Sequence, residues 1–487
     1  MIYDVAIIGA GIVGSCIARE LSKYKLLVCM IEKSDDVSCG TSKANSGIVH
    51  AGYDPVPGSL MAKLNVEGTA MYKQLSQELH FDYKNIGSLV VGFSDSDMEH
   101  IKKLYERGLE NKVPGMRIIN QEELRKLEPN ISEDAVGALL AESAGITSPY
   151  QATWAFAENA VQNGVKLFLE NEVHAITPPE TSGANWTIKT GKTEIEARCV
   201  INAAGLFADK ISLMAGARNF SIKARRGEYF LLDNKCENLA HHTLFQCPDE
   251  KGKGVLVTPT ADGNILVGPS AEDDDDKTNT ATTRAGQDSI TRTAEKTIPN
   301  IPKRNIINSF SGVRAIPYDE NGNQIKDFII EEDENVKRFI NVAGICSPGL
   351  SAAPAIGVYV ASLVEKALGG KFAKNPDFTP IRKGIESFKH ASAERKAQLI
   401  EENPLYGRII CRCEMITEAE IVQAILSPVG AQDLDGVKRR TRAGMGRCQS
   451  GFCSPRVTEI ISRELKIPMT SVTKNGGCSY ILNSKIR

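Results

Sequence analysis

Residues 3–33 read YDVAIIGAGIVGSCIARELSKYKLLVCMIEK, and they give the strongest indication of the fold. A β-branched apolar run leads into Gly9, Gly11 and Gly14, a helix-like segment follows, and a second apolar run ends at Glu32. In a βαβ unit such glycines allow a tight turn, close approach of a pyrophosphate and close helix–strand packing, and the acid binds a ribose. The helix N-terminus faces the phosphates. The stretch therefore predicts a Rossmann-like dinucleotide site and leaves NAD or FAD open.

The segments that follow favour FAD. Residues 40–68, GTSKANSGIVHAGYDPVPGSLMAKLNVEG, place small and polar residues soon after the ribose-binding acid, where a ribityl chain and a pyrophosphate need hydroxyl and backbone contacts. Residues 200–209 and 338–365 are apolar strand-like runs that stop at glycine, and the second restarts as an amphipathic helix. A chain that returns twice to its nucleotide domain indicates a cofactor that extends through the fold.

Composition limits the other possibilities. The chain has 487 residues, 42% hydrophobic and 24% charged, with a formal net charge of −2. This length suffices for two or three domains. The near-neutral charge predicts no nucleic-acid partner and at most a peripheral membrane contact. No apolar stretch approaches the roughly 20 residues that span a bilayer, and the N-terminus has no signal-peptide pattern, so a cytoplasmic location is expected.

Up to about residue 370 the sequence resembles the FAD-dependent oxidoreductases of the D-amino-acid-oxidase type, also called the glutathione-reductase-2 group. The resemblance rests on the motifs GAGIVG, NSGIVHAG, NAAG, GVRAIP and AGICSPGLSAAPAIG. It implies an α/β fold in which a mixed or antiparallel-sheet substrate domain is inserted into a Rossmann-like FAD-binding domain. The expected bounds are about 1–80, 145–220 and 335–370 for FAD binding, and about 81–144 and 221–334 for substrate.

Cofactor contacts are expected at small, acidic and backbone positions. The helix that begins near Leu350 is expected to point its N-terminus at the flavin's pyrimidine ring, where the helix dipole stabilises negative charge. The full predicted set is Gly9, Gly11, Gly14, Glu32, Lys33, Thr41, Ser42, Asn45, Ser46, Gly47, Val173, Gly205, Gly312, Gly344, Gly349 and Leu350.

The catalytic prediction centres on one histidine. A flavin dehydrogenase takes a hydride from a C–H bond while a base accepts the hydroxyl proton. His50 directly follows the flavin-binding polar run, and an imidazole suits proton transfer near neutral pH. His50 is therefore the candidate base, and a flavin neighbour or a core histidine is the alternative.

Arginines are the candidates for holding an anionic substrate, because a guanidinium binds a carboxylate or phosphate through two hydrogen bonds. Arg314 is the stronger candidate, since its run is otherwise apolar and an unpaired charge there would be costly. Arg225 and Arg226 are either substrate contacts or a solvated strand end. Tyr229 and Tyr318 complete the predicted substrate site.

The C-terminal part gathers four of the twelve cysteines as C-x-C, thirty-four residues, and C-x4-C. Four thiolates hold zinc or a 2Fe-2S cluster, and the spacing does not match the usual zinc knuckle. Residues 408–465 resemble the small α-rich domain of bacterioferritin-associated ferredoxins. The resemblance implies 2Fe-2S ligation by Cys411, Cys413, Cys448 and Cys453.

The regions around the cysteine domain complete the domain plan. Residues 371–407 are expected to be a linker and 466–487 a tail. Arg440, Arg442 and Arg447 add positive charge, either for the cluster or for a partner.

The sequence resembles two subfamilies that act on different substrates. The run NSGIVHAGYDPVPGSLMAKLNVEG, with RRGEYFLL and GPSAED, looks like L-2-hydroxyglutarate dehydrogenases. The fused cysteine domain is similar to the large subunit of anaerobic glycerol-3-phosphate dehydrogenases. Oxidation of glycerol 3-phosphate to dihydroxyacetone phosphate is the first expectation, and oxidation of a 2-hydroxy acid is the second.

The two predicted cofactors also imply partners. A flavin receives two electrons in one hydride and a 2Fe-2S cluster carries one at a time, so electrons are expected to leave through electron-accepting protein subunits of an oligomeric complex. Two alternatives stay open: a non-catalytic flavin and iron–sulfur electron-transfer subunit, and an iron-responsive docking module without redox work.

Overall fold

The computed structural model describes residues 1–181, 183–247 and 254–484. The strands in chain order are β1 Ile2–Ile8, β2 Val28–Ile31, β3 Ile48–Val49, β4 Tyr83–Lys84, β5 Ser88–Gly92, β6 Met116–Asn120, β7 Gly137–Ala141, β8 Gly145–Thr147, β9 Lys166–Phe168, β10 Val173–Thr177, β11 Trp186–Thr190, β12 Glu194–Asn202, β13 Ser221–Leu232, β14 Thr243–Gln246, β15 Leu256–Pro259, β16 Ile265–Gly268, β17 Glu272–Asp274, β18 Ile306–Tyr318, β19 Ile329–Glu332, β20 Phe339–Ala343, β21 Ile409–Cys411 and β22 Ile416–Thr417. The helices are α1 Ile12–Leu21, α2 Leu60–Leu79, α3 Asp95–Glu110, α4 Gln121–Leu127, α5 Pro149–Gln162, α6 Ala208–Met214, α7 Arg284–Ala294, α8 Gly349–Ala367, α9 Ala393–Glu402, α10 Glu418–Leu426, α11 Leu434–Thr441 and α12 Ser454–Leu465. None of these helices combines the length and hydropathy needed to cross a bilayer.

The first sheet has eight strands and a parallel centre. Strands β9, β2, β1, β12 and β20 run parallel, and β10, β11 and β19 add antiparallel pairs at the sides. Successive residues of a strand point to opposite faces, so Val5 and Ile7 pack against α1, α5 and α8 while Ala6 and Ile8 face a second core around Trp186. Burial on both faces explains why β1 reads as a continuous apolar run.

The second sheet has nine strands and is mostly antiparallel. Strands β5, β6 and β7 come from the chain before residue 145, and β13 to β18 come from the chain after residue 220. The two groups join through a parallel pairing of β5 with β14. The long β13–β18 ladder pairs Arg225 with Arg314 and Gly227 with Gly312, which brings both arginines to one place in the sheet. This arrangement agrees with the predicted mixed or antiparallel second sheet.

The C-terminal region, defined here as residues 408–484, has its own small core. The hairpin β21–β22 and helices α10, α11 and α12 enclose Ile421, Val437 and Ile461, which are fully buried. Thr417 and Glu420 form a capping box that fixes the start of α10. Val472 is also fully buried, so the predicted tail packs on this region.

Segment 371–407, expected to be a linker, is anchored by a few buried side chains. The Arg382 side chain is 2% exposed, forms a 2.6 Å ion pair with Glu158 and lies 3.9 Å from the ring centre of Trp154. Farther on, Phe388, Leu399 and Tyr406 form a cluster with Ala419 of α10. The segment therefore ties the C-terminal region to the rest of the chain.

Buried ion pairs join the C-terminal region to the N-terminal domain. Asp36 lies just beyond the predicted ribose-binding Glu32 and is buried. Arg440 binds both its carboxylate oxygens at 2.7 Å, and Arg439 binds one at 2.6 Å. Although burial opposes ionisation, these two guanidiniums hold the pKa of Asp36 below its usual value. The interface thus depends on charges that would be costly to leave unpaired.

A second carboxyl at this interface predicts a pH dependence of stability. Burial and a hydrogen bond with Asp35 raise the pKa of Asp433 from 3.8 to about 8. The folded protein then holds a proton that the unfolded chain releases, so this carboxyl lowers stability as pH rises between those values. An asparagine side chain at this position keeps the helix cap that accepts from Gly436 and carries no charge. Asp433→Asn is therefore expected to raise the free energy of unfolding at pH 8 by at most about 5 kcal/mol and to lose that advantage near pH 4.

Thermal unfolding of the native protein and the Asp433→Asn variant across this pH range measures the effect. Parallel stability curves for the two proteins would show that Asp433 does not carry the proton.

Candidate functional site

The glycine turn between β1 and α1 has the shape that a pyrophosphate needs. Gly9 has a φ of +107°, and a Cβ there would lie 2.4 Å from the carbonyl oxygen of Ala203. A Cβ on Gly14 would lie 2.0 Å from the Gly9 carbonyl oxygen. The turn therefore accepts only glycine at these positions and leaves the backbone open to a phosphate.

The acid at the end of β2 is held by the same turn. One oxygen of Glu32 accepts from the backbone N–H of Ala10 at 2.9 Å, and the other accepts from Ser34 at 3.0 Å. Ser42 accepts from the N–H of Ile12 at the start of α1, also at 2.9 Å. These bonds orient a carboxylate and a hydroxyl beside the turn, as an adenosine ribose and a pyrophosphate require.

A cavity of about 1610 Å³ opens from this turn. It exceeds the usual size of a small-ligand pocket, about 300–1,000 Å³, so it has room for a dinucleotide together with a substrate. Most of the predicted site residues line it. They are Gly9, Gly11, Glu32, Lys33, Thr41, Ser42, Asn45, Ser46, Gly47, His50, Val173, Gly205, Arg225, Tyr229, Gly312, Arg314, Gly349 and Leu350.

Four of the residues predicted to contact the flavin or the substrate do not line the cavity. Gly14 serves the helix–strand contact described above, and Gly344 packs against Pro317, whose Cγ would lie 2.7 Å from an added Cβ. Tyr318 lies at the end of β18 with Lys223 above its ring at 4.3 Å. Arg226 follows Arg225 on one strand and so points to the opposite face.

Arg226 therefore has structural partners instead of a place in the cavity. Its Nη1 donates to the carbonyl of Ala281 at 2.7 Å, and Glu228 and Asp274 lie 3.8 Å from its guanidinium nitrogens. The expected substrate contact of Arg226 is not supported by this geometry.

Hydrogen bonds to its backbone N–H and carbonyl groups hold His50 in place. Its N–H donates to Ser351 Oγ at 2.7 Å, and its carbonyl accepts from Asn65 Nδ2 at 2.6 Å and from Thr69 Oγ1 at 2.7 Å. The imidazole faces the cavity, with Nε2 3.4 Å from Ser347 Oγ and the ring centre 5.7 Å from that of Phe245. Helices α2 and α8 thus hold the residue through its backbone N–H and carbonyl groups.

Arg314 brings a cation into the same cavity. Its Nη2 donates to the Ser270 carbonyl at 2.7 Å, burial lowers the pKa of its guanidinium, and among the described residues no carboxylate forms an ion pair with it. Arg225, opposite it in the ladder, binds Asp273 at 2.6 Å. Two neighbouring guanidiniums repel each other, so an anion bound here would offset both the burial and the repulsion of Arg314.

The strand that carries Arg314 is held against the predicted flavin-binding segment. A Cβ on Gly312 would lie 1.8 Å from the carbonyl oxygen of Ala44. Thr41 Oγ1 donates to the carbonyl of Val313 at 2.7 Å, and Ser46 and Tyr229 share a hydrogen bond of 3.2 Å. Direct contacts therefore join the segment predicted to bind the flavin to the strands that carry the predicted substrate residues.

The helix predicted near Leu350 is α8, which begins at Gly349 on the cavity wall. Tyr72 of α2 donates to the Leu350 carbonyl at 2.6 Å, which holds this helix end in place. The N–H groups of its first turn give the cavity a positive helix end suited to an anionic flavin ring.

The four predicted ligand thiols lie together in the C-terminal region. Cys411 shares a hydrogen bond with Cys453, and Cys413 shares one with Cys448. The Cys453 contact and the N–H groups of Gly444 and Glu414 lower the pKa of Cys411 to about 6. Within the described residues, no three His, Cys, Asp or Glu side chains converge as ligands of a single metal ion. Two pairs of thiols fit a cluster with two irons.

The sequence did not predict that residues of the C-terminal region form part of the cavity wall. Lys438, Arg439, Arg442 and Met445 of the C-terminal region line the cavity beside Tyr150 of α5. Such contacts depend on how two domains dock, which no local pattern encodes.

Fold and site define a class: a flavin oxidoreductase that carries a second, iron–sulfur redox domain on the same chain. The FAD dependent oxidoreductase family matches residues 4–363, and the BFD-like 2Fe-2S binding domain matches residues 409–463. The chain belongs to the FAD dependent oxidoreductase family. Its cofactors are FAD and a 2Fe-2S cluster.

Similar proteins of known activity indicate which flavin oxidoreductases this chain is related to. The chain is 49% identical to a glycerol 3-phosphate dehydrogenase of Caloramator mitchellensis over 480 residues, which are 99% of this chain and 98% of the relative. It is 28% identical to the human mitochondrial L-2-hydroxyglutarate dehydrogenase over 413 residues, 75% of this chain and 89% of that one. The FAD-bound, dithionite-reduced L-α-glycerophosphate oxidase of Mycoplasma pneumoniae matches with a TM-score of 0.72 and 32% identity, over 78% of this chain and 98% of that one. The chain is thus a full-length homologue of a glycerol 3-phosphate dehydrogenase.

Proposed function

We propose that this protein oxidises glycerol 3-phosphate to dihydroxyacetone phosphate and passes the electrons through its cluster to an electron-accepting protein subunit. The observation that carries the substrate proposal is Arg314, which lines the same cavity as His50 and forms no ion pair with a carboxylate among the described residues. A phosphate would supply the missing anion. The full-length likeness to a glycerol 3-phosphate dehydrogenase supports this choice.

The proposed roles divide between binding and proton transfer. Arg314 and Arg225 hold the phosphate, and Tyr229, fixed by Ser46, limits the space around it. FAD, when bound, would supply the acceptor for the hydride on the carbon that carries the hydroxyl group. His50 accepts the hydroxyl proton at Nε2, and its backbone bonds to α2 and α8 keep the ring in place during the transfer.

The remaining proposals concern the cofactor and the domains. The cavity-lining residues Glu32, Ser42 and Gly47 contact FAD, and the thiols of Cys411, Cys413, Cys448 and Cys453 ligate the cluster. The described fold suggests a division at about residues 370 and 408, with the segment between them joining an FAD and substrate unit to a cluster unit. An oligomer with electron-accepting subunits completes the proposal.

A second candidate substrate is L-2-hydroxyglutarate or a similar 2-hydroxy acid. The relationship to the human enzyme favours it, and a pair of arginines also suits a carboxylate.

One anaerobic titration tests these proposals. Purified protein is assayed for FAD and iron, and its absorption spectrum is followed on addition of glycerol 3-phosphate or L-2-hydroxyglutarate. Rapid bleaching of the flavin by glycerol 3-phosphate alone is expected. Bleaching by the hydroxy acid alone would establish the second candidate, and bleaching by neither would support a non-catalytic electron-transfer subunit.

A further inference from the structure

A continuous set of contacts runs from the flavin-binding segment to the N-terminus of α5. Gly47, within the polar run predicted to bind the flavin, accepts from the N–H of Thr147 at 2.7 Å. A Cβ on Gly47 would lie 3.4 Å from Pro149 Cδ. Tyr150 is the next residue and lines the same cavity. The first turn of α5 is thus packed on the flavin side of the molecule.

Tyr150 meets the C-terminal region. Its hydroxyl is 3.4 Å from the sulfur of Met445 and 3.5 Å from both Arg442 Nη1 and Asp262 Oδ2. Met445 and Arg442 also line the cavity. The cavity that holds the predicted flavin site is therefore bordered by the segment that leads to the predicted ligand Cys448.

Arg442 links three segments at this point. Its Nη1 forms an ion pair with Asp262 at 2.6 Å, its Nη2 donates to Asn264 Oδ1 at 3.1 Å, and its Nε donates to Glu414 at 3.0 Å. Asp262 and Asn264 belong to the turn between β15 and β16, whereas Glu414 directly follows the ligand Cys413. One buried guanidinium thus connects the cavity wall to a cluster-binding loop.

The backbone at Gly446 contacts Cys413, one of the predicted cluster ligands. Gly446 follows Met445, and a Cβ on Gly446 would lie 2.2 Å from the Cβ of Cys413. The backbone after Met445 therefore lies directly on a ligand cysteine, with no space between them for a side chain.

We propose that Tyr150, Arg442 and Met445 form the junction through which electrons pass from the reduced flavin to the cluster, and that Arg442 is its positioning residue. The electrons are those that the substrate alcohol gives up, and the cluster takes them one at a time, so the inference rests on the proposed function. Electron transfer slows steeply with distance and with gaps in the packing. Arg442 holds Asp262 and Glu414 together and so keeps the cluster loop against the cavity.

A matched control separates this role from general domain docking. Arg440 lies two residues away and also forms a buried ion pair across the interface, with Asp36 at 2.7 Å. It does not line the cavity. Arg442→Met and Arg440→Met therefore each remove one interdomain arginine, but only Arg442→Met disturbs the junction.

The experiment follows two rates in the FAD- and cluster-loaded protein under anaerobic conditions: flavin bleaching by glycerol 3-phosphate in a stopped-flow instrument, and appearance of the reduced-cluster EPR signal after rapid freezing. In Arg442→Met, cluster reduction is expected to slow by about 10- to 100-fold while flavin bleaching and the EPR line shape stay unchanged. Arg442→Lys should recover part of the rate. Amide hydrogen exchange in segments 411–414 and 444–447 should rise in Arg442→Met even without either cofactor.

Equal cluster-reduction rates in the native protein and Arg442→Met would overturn the proposal, as would an equal slowing in Arg440→Met. If Arg442→Met does not retain its iron, the double variant Tyr150→Phe, Met445→Leu takes its place in the test, because it removes only the hydroxyl and sulfur contacts. An unchanged rate of cluster reduction in this double variant would overturn the proposal. Failure of the proposed substrate is distinguishable, since it leaves the native flavin unbleached. Flash photoreduction by a deazaflavin then supplies the electrons for the same comparison.

Discussion

Flavin bleaching by glycerol 3-phosphate is expected to slow by about 10²- to 10⁴-fold when His50 is replaced by glutamine, the range typical for loss of a positioned base. A glutamine side chain occupies similar space and accepts no proton. The backbone bonds of His50 to Ser351, Asn65 and Thr69 do not involve the ring, so the variant should fold and retain FAD. Stopped-flow absorbance of the anaerobic protein measures the rate.

An exposed histidine provides the control for the His50 prediction. His174 lies on β10, away from the cavity, and His174→Gln should leave the bleaching rate unchanged. Added imidazole should restore part of the rate in His50→Gln if the defect is the missing base. A His50→Gln rate within about two-fold of the native rate would instead give His50 a merely structural place beside the cofactor.

The parts of the fold that could be predicted from sequence are those with local signals. The βαβ unit follows from Gly9, Gly14 and Glu32 because each residue meets a requirement of one turn, and the structure shows those contacts. The cysteine spacing and the start of α8 near Leu350 are local features of the same kind. In each case a few neighbouring residues determine the geometry.

The parts that could not be predicted depend on long-range packing. Arg225 and Arg226 are equivalent in the sequence, and only the register of β13 decides which one faces the cavity. Asp36 and Arg440 are 404 residues apart, so no pattern connects them. For the same reason, the sequence predicted positive charge from Arg440 and Arg442 for the cluster or for a partner, whereas the structure pairs them with Asp36 and Asp262 of the preceding domain.

Arg314→Met is expected to lower kcat/KM for glycerol 3-phosphate by about two to four orders of magnitude, because the variant loses a charge-assisted contact to the phosphate, of the kind worth about 3–5 kcal/mol where water is excluded. Methionine fills a similar volume without charge. The loss should be much smaller for glycerol, which has no phosphate and gains nothing from the guanidinium. Steady-state assays with an artificial acceptor and both substrates measure the difference.

Arg226→Met is the matched control for Arg314→Met, because it removes an arginine from the neighbouring strand that faces away from the cavity. Its partners are Glu228, Asp274 and the Ala281 carbonyl, so its loss should lower the unfolding temperature. The folded variant should keep kcat/KM within about three-fold of the native value, since no contact to the substrate changes. If the two variants lost kcat/KM equally, the loss would reflect general damage to the sheet, and the phosphate would have to bind elsewhere. A selective loss in Arg314→Met would place the substrate anion against β18, in the cavity that His50 also lines.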